Sequence, residues 1–368
     1  MQLEKFEPRV PRRQFVKSLA LAGAGLAAGL PDAAPAAAST GAQPKIKLGL
    51  DNFSVRAMGW KAEQLIDYAV SLKTDSLFIT DLKPFANFSD PYLRDLKAKA
   101  ADHGLQIHLG SWSICPTSRA FKKDWGTAEE HLALGIRMAA ALGSPVFRVI
   151  LGTGEDRRTE GGIEARIRDT VKVCQARRNQ AIDAGVKIAV ENHAGDMQAW
   201  ELVTLIEAAG KEYVGANIDS GNACWTMEEP RQNLEILGPY VVTTSLRDSA
   251  VWEYEEGAKV QWTAMGEGTV DQPAYFKRFA ELCPGVPVHI ETISGFPREL
   301  PYFKSDFWTA FPKARASDFA KFVALAKRGK PIEPHHSPDA NAEQDYQKGE
   351  IERSIKYCKE VLGLGLQR

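Results

Sequence analysis

Three acids stand at the ends of short apolar runs: Glu191 in IAVENHAGD, Asp219 in GANIDSGNA and Glu291 in VHIETISG. A lone acid after a strand is commonly a helix N-cap or a loop residue, and each of the three can be read that way by itself. As a set they are three like charges from three late strands, with no arginine or lysine partner evident inside those runs. Such a set repels itself unless something positive sits among it, and a divalent cation is the expected occupant. Hard oxygen donors favour magnesium or manganese, and an added imidazole would admit manganese, cobalt or zinc.

To bring three such residues together, the chain needs strands whose carboxyl ends share one rim. Apolar runs of strand length recur along the sequence: Ile46 to Phe53, Ser76 to Thr80, Gln106 to Gly110, Pro145 to Leu151, Lys187 to Glu191, Tyr213 to Ile218, Tyr240 to Leu246 and Val286 to Ile290. Helical patterns separate them, among them the face made by Leu65, Ile66, Ala69 and Leu72, the capping box Thr127 to Glu130, and a long charged segment from about Gly162 to Ala184. Eight strand-helix units in a row predict a closed (β/α)8 TIM barrel, with an open doubly wound sheet as the structural rival. In a barrel, the carboxyl ends of the strands line the mouth where the active site is built. A long aromatic and proline-rich insertion, 296–340, follows the eighth strand as a lid or cover, with a short helix near Asp318 to Lys327. A C-terminal helix from about Ala342 to Leu362 closes the ring.

The first 38 residues read as an export leader rather than as fold. Pro11-Arg12-Arg13-Gln14-Phe15-Val16-Lys17 matches the twin-arginine consensus, an Ala/Leu/Gly stretch follows, and Ala36-Ala37-Ala38 fits a signal-peptidase site. The apolar stretch is too short and weakly apolar for a stable membrane anchor. The expected location is therefore periplasmic or secreted, with the twin-arginine export machinery as a partner. A disordered tail with chance arginines is the plainer alternative. The net charge of −1 gives no nucleic-acid footprint. Five widely spaced cysteines contain no CxxC pair, so they read as small core residues rather than a disulfide framework or zinc knuckle. Nothing in the chain sets an oligomeric state.

IAVENHAGD, GANIDSGNA, TTSLRDS, AMGEGTVD and VHIETISG resemble, in order and spacing, the successive signatures of the xylose-isomerase-like barrels, the sugar isomerase and epimerase superfamily. The resemblance runs from Ile46 to about Gly295. In the epimerase branch a metal is held by a Glu on the fifth strand, an Asp on the sixth, a His on the seventh and a Glu on the eighth. The resemblance therefore implies Glu191, Asp219 and Glu291 as metal ligands. The seventh-strand His-x-His-Leu-Lys-Asp reads here Thr243-Thr244-Ser245-Leu246-Arg247-Asp248, which puts Ser245 in the ligand's place. Gln261, in KVQWTAMGEG on the inserted loop after the seventh strand, is the candidate replacement, against a reading as a solvent-facing amide. Asn222 stands where epimerases commonly carry a substrate-binding His.

The implied reaction is proton transfer next to a sugar carbonyl. Removing that proton needs a base in line with the C–H bond and an electrophile on the oxygen that gains charge. Glu191 and Glu291 on opposite faces of an enediolate would serve as base and acid and permit isomerisation or epimerisation. The same intermediate could expel a leaving group, which makes the chain a lyase or deglycosylase acting on 3-keto-glycosides. Loss of the seventh-strand His supports a further alternative, a sugar-binding barrel without turnover. An abasic-site endonuclease would need more clustered histidines than the seven scattered here, and a basic groove. The expected substrate is a small carbohydrate, stacked on Trp112 and bonded by His108, His193, Asn222 and Arg247. Phe53 also falls at a strand end, and for it and Trp112 the alternative is packing at the barrel top.

Overall fold

The computed structural model describes residues 45–366, so the expected leader over 1–38 lies outside the described residues. Eight of the short apolar runs pair in parallel: β1 (Leu48–Asp51), β2 (Ser76–Ile79), β3 (Gln106–Ser113), β4 (Val146–Ile150), β5 (Lys187–Glu191), β6 (Val214–Ile218), β7 (Val241–Thr244) and β10 (Val288–Ile290). The order is β10-β1-β2-β3-β4-β5-β6-β7. The ring is completed where Leu246, just past β7, bridges Ile290 in parallel, with the Leu246 N–H donating to the His289 carbonyl (2.8 Å) and Glu291 N–H to the Leu246 carbonyl (2.9 Å). That closure rules out the open doubly wound sheet and establishes the (β/α)8 TIM barrel expected from eight strand-helix units.

Local chemistry explains the elements between the strands. Thr127 accepts from Glu130 N–H (3.2 Å) while Glu130 accepts from Thr127 N–H (2.8 Å), so the capping box starts the helix Ala128–Leu142. Gly143 ends it in the left-handed conformation (φ 72°), where a side chain is disfavoured. Gly135 lets that helix press on β4: a Cβ there would lie 2.0 Å from the Phe147 ring. The charged segment expected as one helix from Gly162 to Ala184 breaks at Arg177 into Gly162–Ala176 and Arg178–Ala184. All five cysteines are buried and unbridged, as core residues. Among the described residues no helix is long and apolar enough to cross a membrane.

Two departures from the sequence expectation shape the mouth. The stretch after β7 is an antiparallel hairpin, β8 (Asp248–Tyr254) and β9 (Gly257–Thr263), and not a loop. The segment after β10 contributes β11 (Pro297–Leu300), which pairs with β9, and a helix Ala316–Ala326. Val251, Val260, Leu300, Phe322 and Leu325 form an apolar cluster of their own there. The insertion is thus a packed second layer, held by its own buried side chains.

Period-two alternation decides which side chains enter the barrel. Phe147 and Val149 face the helices, and Arg148 faces inward; Ala189 and Glu191, Asn217 and Asp219, Thr243, Ser245 and Arg247, and His289 and Glu291 follow the same parity. The interior is consequently polar toward the carboxyl ends of the strands. Asp51, Arg148, Glu191, Asn217, Ser245 and Glu291 are all buried.

Candidate active site at the barrel mouth

Glu191, Asp219 and Glu291 do meet at the rim, but the positive charges among them belong to the protein. Arg148 Nε donates to Glu191 Oε2 (2.6 Å) and its Nη1 to the Ser111 carbonyl (2.8 Å). Arg247 Nη2 donates to both Asp219 Oδ2 and Glu291 Oε2. The expectation that these acids lack basic partners is therefore corrected. Arg148 sits inside the run VFRVI of β4, where only the alternation of inward positions marks it. Asp51 is a fourth carboxylate that the sequence did not single out, receiving the Ser245 hydroxyl (3.0 Å).

Amides fill the remaining valences. Asn217 Nδ2 donates to Glu191 Oε2 (2.6 Å), and Asn222 Nδ2 donates to Asp219 Oδ2 (2.7 Å) and to Glu191 Oε1 (3.2 Å). Asp219 also accepts from the N–H groups of Gly221 (2.8 Å) and Asn222 (2.9 Å), so it caps the short helix Ser220–Trp225 as well as holding Arg247. Both readings of that acid hold at once.

These contacts set the ionisation of the four acids. Burial would raise Glu191, but Arg148 and neighbouring positive groups outweigh it and hold the carboxyl below its usual range. Burial pushes Asp219 up to about 8 in spite of Arg247, with Glu191 and Glu291 adding to the rise. Burial also raises Glu291, against the pull of Arg247. Asp51 is raised well above an ordinary carboxyl by burial and by Glu291. One carboxyl is thus pulled down while its neighbours are pushed up, the separation that acid–base chemistry uses.

A cavity of about 430 Å³ opens above this cluster. Phe53, Trp112, Trp125, Trp225, Trp262 and Phe296 wall it, and Arg148, His193, Asn222, Arg247 and Glu291 supply its polar floor. Aromatic faces with a few convergent polar groups are the usual surroundings of a small ligand. Glu191 and Asp219 do not line it; both are fully buried, behind the side chains of Arg148, Asn222 and Arg247 that they hold. Of the two acids expected to exchange protons with substrate, the structure brings one, Glu291, to the cavity.

The expected binding residues divide. Trp112 lines the cavity, its indole N–H donating to the Ala120 carbonyl (2.8 Å) and its ring meeting His193 edge to face at 5.4 Å. His193 Nδ1 lies 2.7 Å from the Gly152 carbonyl, and burial lowers the imidazole to about 4. The ring is therefore neutral, Nδ1 carries the proton, and Nε2 is left as an acceptor. Ala194, next to it, sits at φ 43°, a strained conformation for a residue with a Cβ. Asn222 and Arg247 also line the cavity. His108 does not: it is buried in the barrel interior, 3.1 Å from Thr243 Oγ1 and with its ring 4.7 Å from that of His289. An inward position one layer too deep separates it from the mouth. Gln261 is likewise corrected. It lies on β9, opposite Ala250 and Pro297, its amide donates to the Glu333 carbonyl (3.2 Å), and it is absent from the cavity lining.

The residues as arranged do not fit a divalent cation. Asp219 Oδ2 and Glu291 Oε2 both receive the same guanidinium, Glu191 carries three donors, and Ser245, which the resemblance puts in a ligand's place, spends its hydroxyl on Asp51. An ion entering here would meet a buried arginine in the middle of its ligand set. Among the described residues no three Asp, Glu, His or Cys side chains are arranged to hold a metal.

The comparisons with known proteins agree with the architecture. Residues 55–309 match the family pattern described as xylose isomerase-like TIM barrel. A D-psicose 3-epimerase solved in the presence of D-fructose superposes with a TM-score of 0.55 at 13% identity, over 86% of this chain and 100% of that one. The IOLI protein solved with a bound zinc atom gives 0.53 at 15% identity, over 78% and 100%. At such identities these likenesses speak to the fold. A 3-oxo-isoapionate decarboxylase of Pectobacterium atrosepticum is 21% identical over 198 residues, 53% of this chain. The match spans 64% of that curated relative's length, less than two thirds of it.

Proposed function

The chain belongs to the xylose isomerase-like TIM barrel family, and from that premise we propose that it is an enzyme of the sugar isomerase and epimerase class, working on the carbon next to a carbonyl through an enediolate. The observation that carries this reading is Glu291, a carboxyl with a raised pKa that lines an aromatic-walled cavity beside two guanidinium groups. Glu291 takes the proton from the carbon, the positive floor receives the charge that develops on oxygen, and Trp112 with the other aromatic faces holds the sugar ring. His193 Nε2 and the Asn222 carbonyl oxygen accept from substrate hydroxyls. Glu191 is a positioning residue that fixes Arg148, Asn217 and Asn222.

Glu291 alone of the four buried acids of the cluster lines the cavity, which favours chemistry that returns the proton to the same face, as in aldose–ketose isomerisation, over epimerisation with a second cluster acid on the opposite face. The decarboxylase relative favours a second reading on the same site. In a 3-oxo sugar acid the bond to the carboxylate breaks, carbon dioxide leaves, its electron pair forms the enolate, and protonated Glu291 supplies the proton. Elimination from a 3-keto-glycoside would use the same groups. A metal-assisted variant, with the manganese or magnesium that hard oxygen donors favour, would require Arg247 to leave Asp219 and Glu291.

Purified protein incubated with ketoses, aldoses, 3-oxo sugar acids and 3-keto-glycosides in deuterated water tests the reading by NMR. Deuterium next to the carbonyl, or release of carbon dioxide or aglycone, is expected, and Glu291→Gln should abolish it while leaving binding. Saturable binding by the wild-type protein with no exchange or release refutes turnover and leaves a sugar-binding barrel. We also propose, from Arg12-Arg13 and the residues after them, export by the twin-arginine route. Retention of the chain in the cytoplasm when expressed with the intact leader would refute that.

A further inference from the structure

Arg247 occupies a seat built around it. Its Nη2 bridges Asp219 and Glu291, and its Cζ lies 4.3 Å from the centroid of the Trp262 ring. Trp262 is stacked on Trp225 at 4.0 Å and 8°, and Arg298 covers the far side at 4.4 Å. The stem passes where Gly221 has no side chain: a Cβ there would lie 2.4 Å from Arg247 Cγ and 2.6 Å from Cδ. The Ser220 hydroxyl fastens the backbone of residue 247, donating to its carbonyl (2.6 Å) and accepting from its N–H (3.2 Å). An arginine so placed is integral to the fold of the mouth and not a surface ion pair that drifts.

Against this fixity, two of its nitrogens have no partner. Nε and Nη1 are buried without a hydrogen bond, and the residue lines the cavity. Unused donors on an immobile cation, beside an acid that faces the same space, are what stabilisation of a developing oxyanion calls for, because no reorganisation is needed when the charge appears.

We propose that Arg247 is the resident electrophile of this mouth, standing among the acids for which the resemblance implies a divalent ion, so that the reaction proceeds without a metal. The inference rests on the carbonyl chemistry assigned above. In the step, the C–H bond breaks and its proton goes to Glu291. The C–H electron pair becomes the carbon–carbon double bond, and the carbonyl π pair moves to oxygen, where the Arg247 N–H groups hold it. Return of the proton to carbon or oxygen restores the neutral product, with no redox partner.

Metal analysis and calorimetric titration with manganese and zinc chloride test this on the full chain without its leader. The wild-type protein should purify with substoichiometric metal, show no saturable heat with either ion, and keep its deuterium exchange in EDTA. Arg247→Ala, which frees Asp219 and Glu291, should gain manganese binding and lose exchange by about 10²–10³-fold. Should that variant not fold, Gly221→Ala displaces the stem of Arg247 and should cut exchange while the wild-type metal measurements stand. Stoichiometric metal in the wild-type protein, exchange abolished by EDTA and restored by manganese, or full exchange in Arg247→Ala overturns the inference. Metal-free wild-type protein that exchanges with no carbonyl sugar refutes the function instead, so the two failures are separable.

Discussion

Arg148→Ala isolates the electrostatics that hold the mouth together. The guanidinium is buried, donates to Glu191 at 2.6 Å, and its removal leaves the fully buried Glu191 carboxyl with only amide donors. Breaking one side of a buried pair costs about 3–5 kcal/mol. With an unfolding entropy of ~2.1 cal/mol/K per residue over roughly 320 residues, that corresponds to about 6 °C in Tm. The pH dependence gives a sharper signature. In the wild-type protein Glu191 lies below its unfolded value of about 4.3, so its contribution is present above that value and lost as pH falls through the folded pKa. Without Arg148 the largest opposition to burial is gone, and the folded pKa rises above about 4.3. The folded state then binds the extra proton, and stability is lost as pH rises through that window. Urea unfolding between about pH 5 and 8 should therefore show the variant losing ground relative to wild type with increasing pH. Glu191→Gln in the Arg148→Ala background should remove that slope and recover part of the loss, as a double-mutant cycle measures. A cost below about 1 kcal/mol with no pH-dependent difference would refute the assignment of Glu191 as a charged acid held by Arg148.

Other perturbations address separate parts of the molecule. Gly135→Ala gains helix propensity of about 1 kcal/mol but places its methyl against the Phe147 ring, 2.0 Å away, so a net loss of about 1–3 kcal/mol is expected by urea unfolding. Trp262→Ala removes the plate under Arg247 and one wall of the cavity; ligand affinity should fall at least about tenfold by titration calorimetry, while far-UV circular dichroism stays unchanged. His108→Gln should leave affinity for any substrate within about twofold and lower Tm, because the imidazole serves the interior near Thr243 and not the cavity.

The barrel was legible because each strand-helix unit carries its own signal: a short apolar run, then a helical face with caps such as Thr127 and Gly143. The three acids were legible because they terminate those runs. What remained hidden depends on long-range geometry. Arg148 reads as an ordinary residue in VFRVI until the parity of β4 is matched to β5, where Ile150 stands opposite Glu191. His108 has the right parity but the wrong depth, and nothing local distinguishes one barrel layer from the next. Gln261 was placed in a loop that is in fact a hairpin strand, and the pairing of β9 with β11, across residues 264–296, fixes its side chain away from the acids.

The same parity exposes the logic of the seventh-strand position. Thr243, Ser245 and Arg247 share the inward face, so the small hydroxyl at residue 245 turns to Asp51 while residue 247, two steps further out, places its cation between Asp219 and Glu291. Ser245 is small enough to leave the interior to Asp51 and Asn217, and Gly221 leaves the space that the arginine stem fills. Three acids without a positive partner cannot remain charged together in a buried site. The burial of Arg247 between Asp219 and Glu291 therefore lets the chain itself carry the positive charge of the centre.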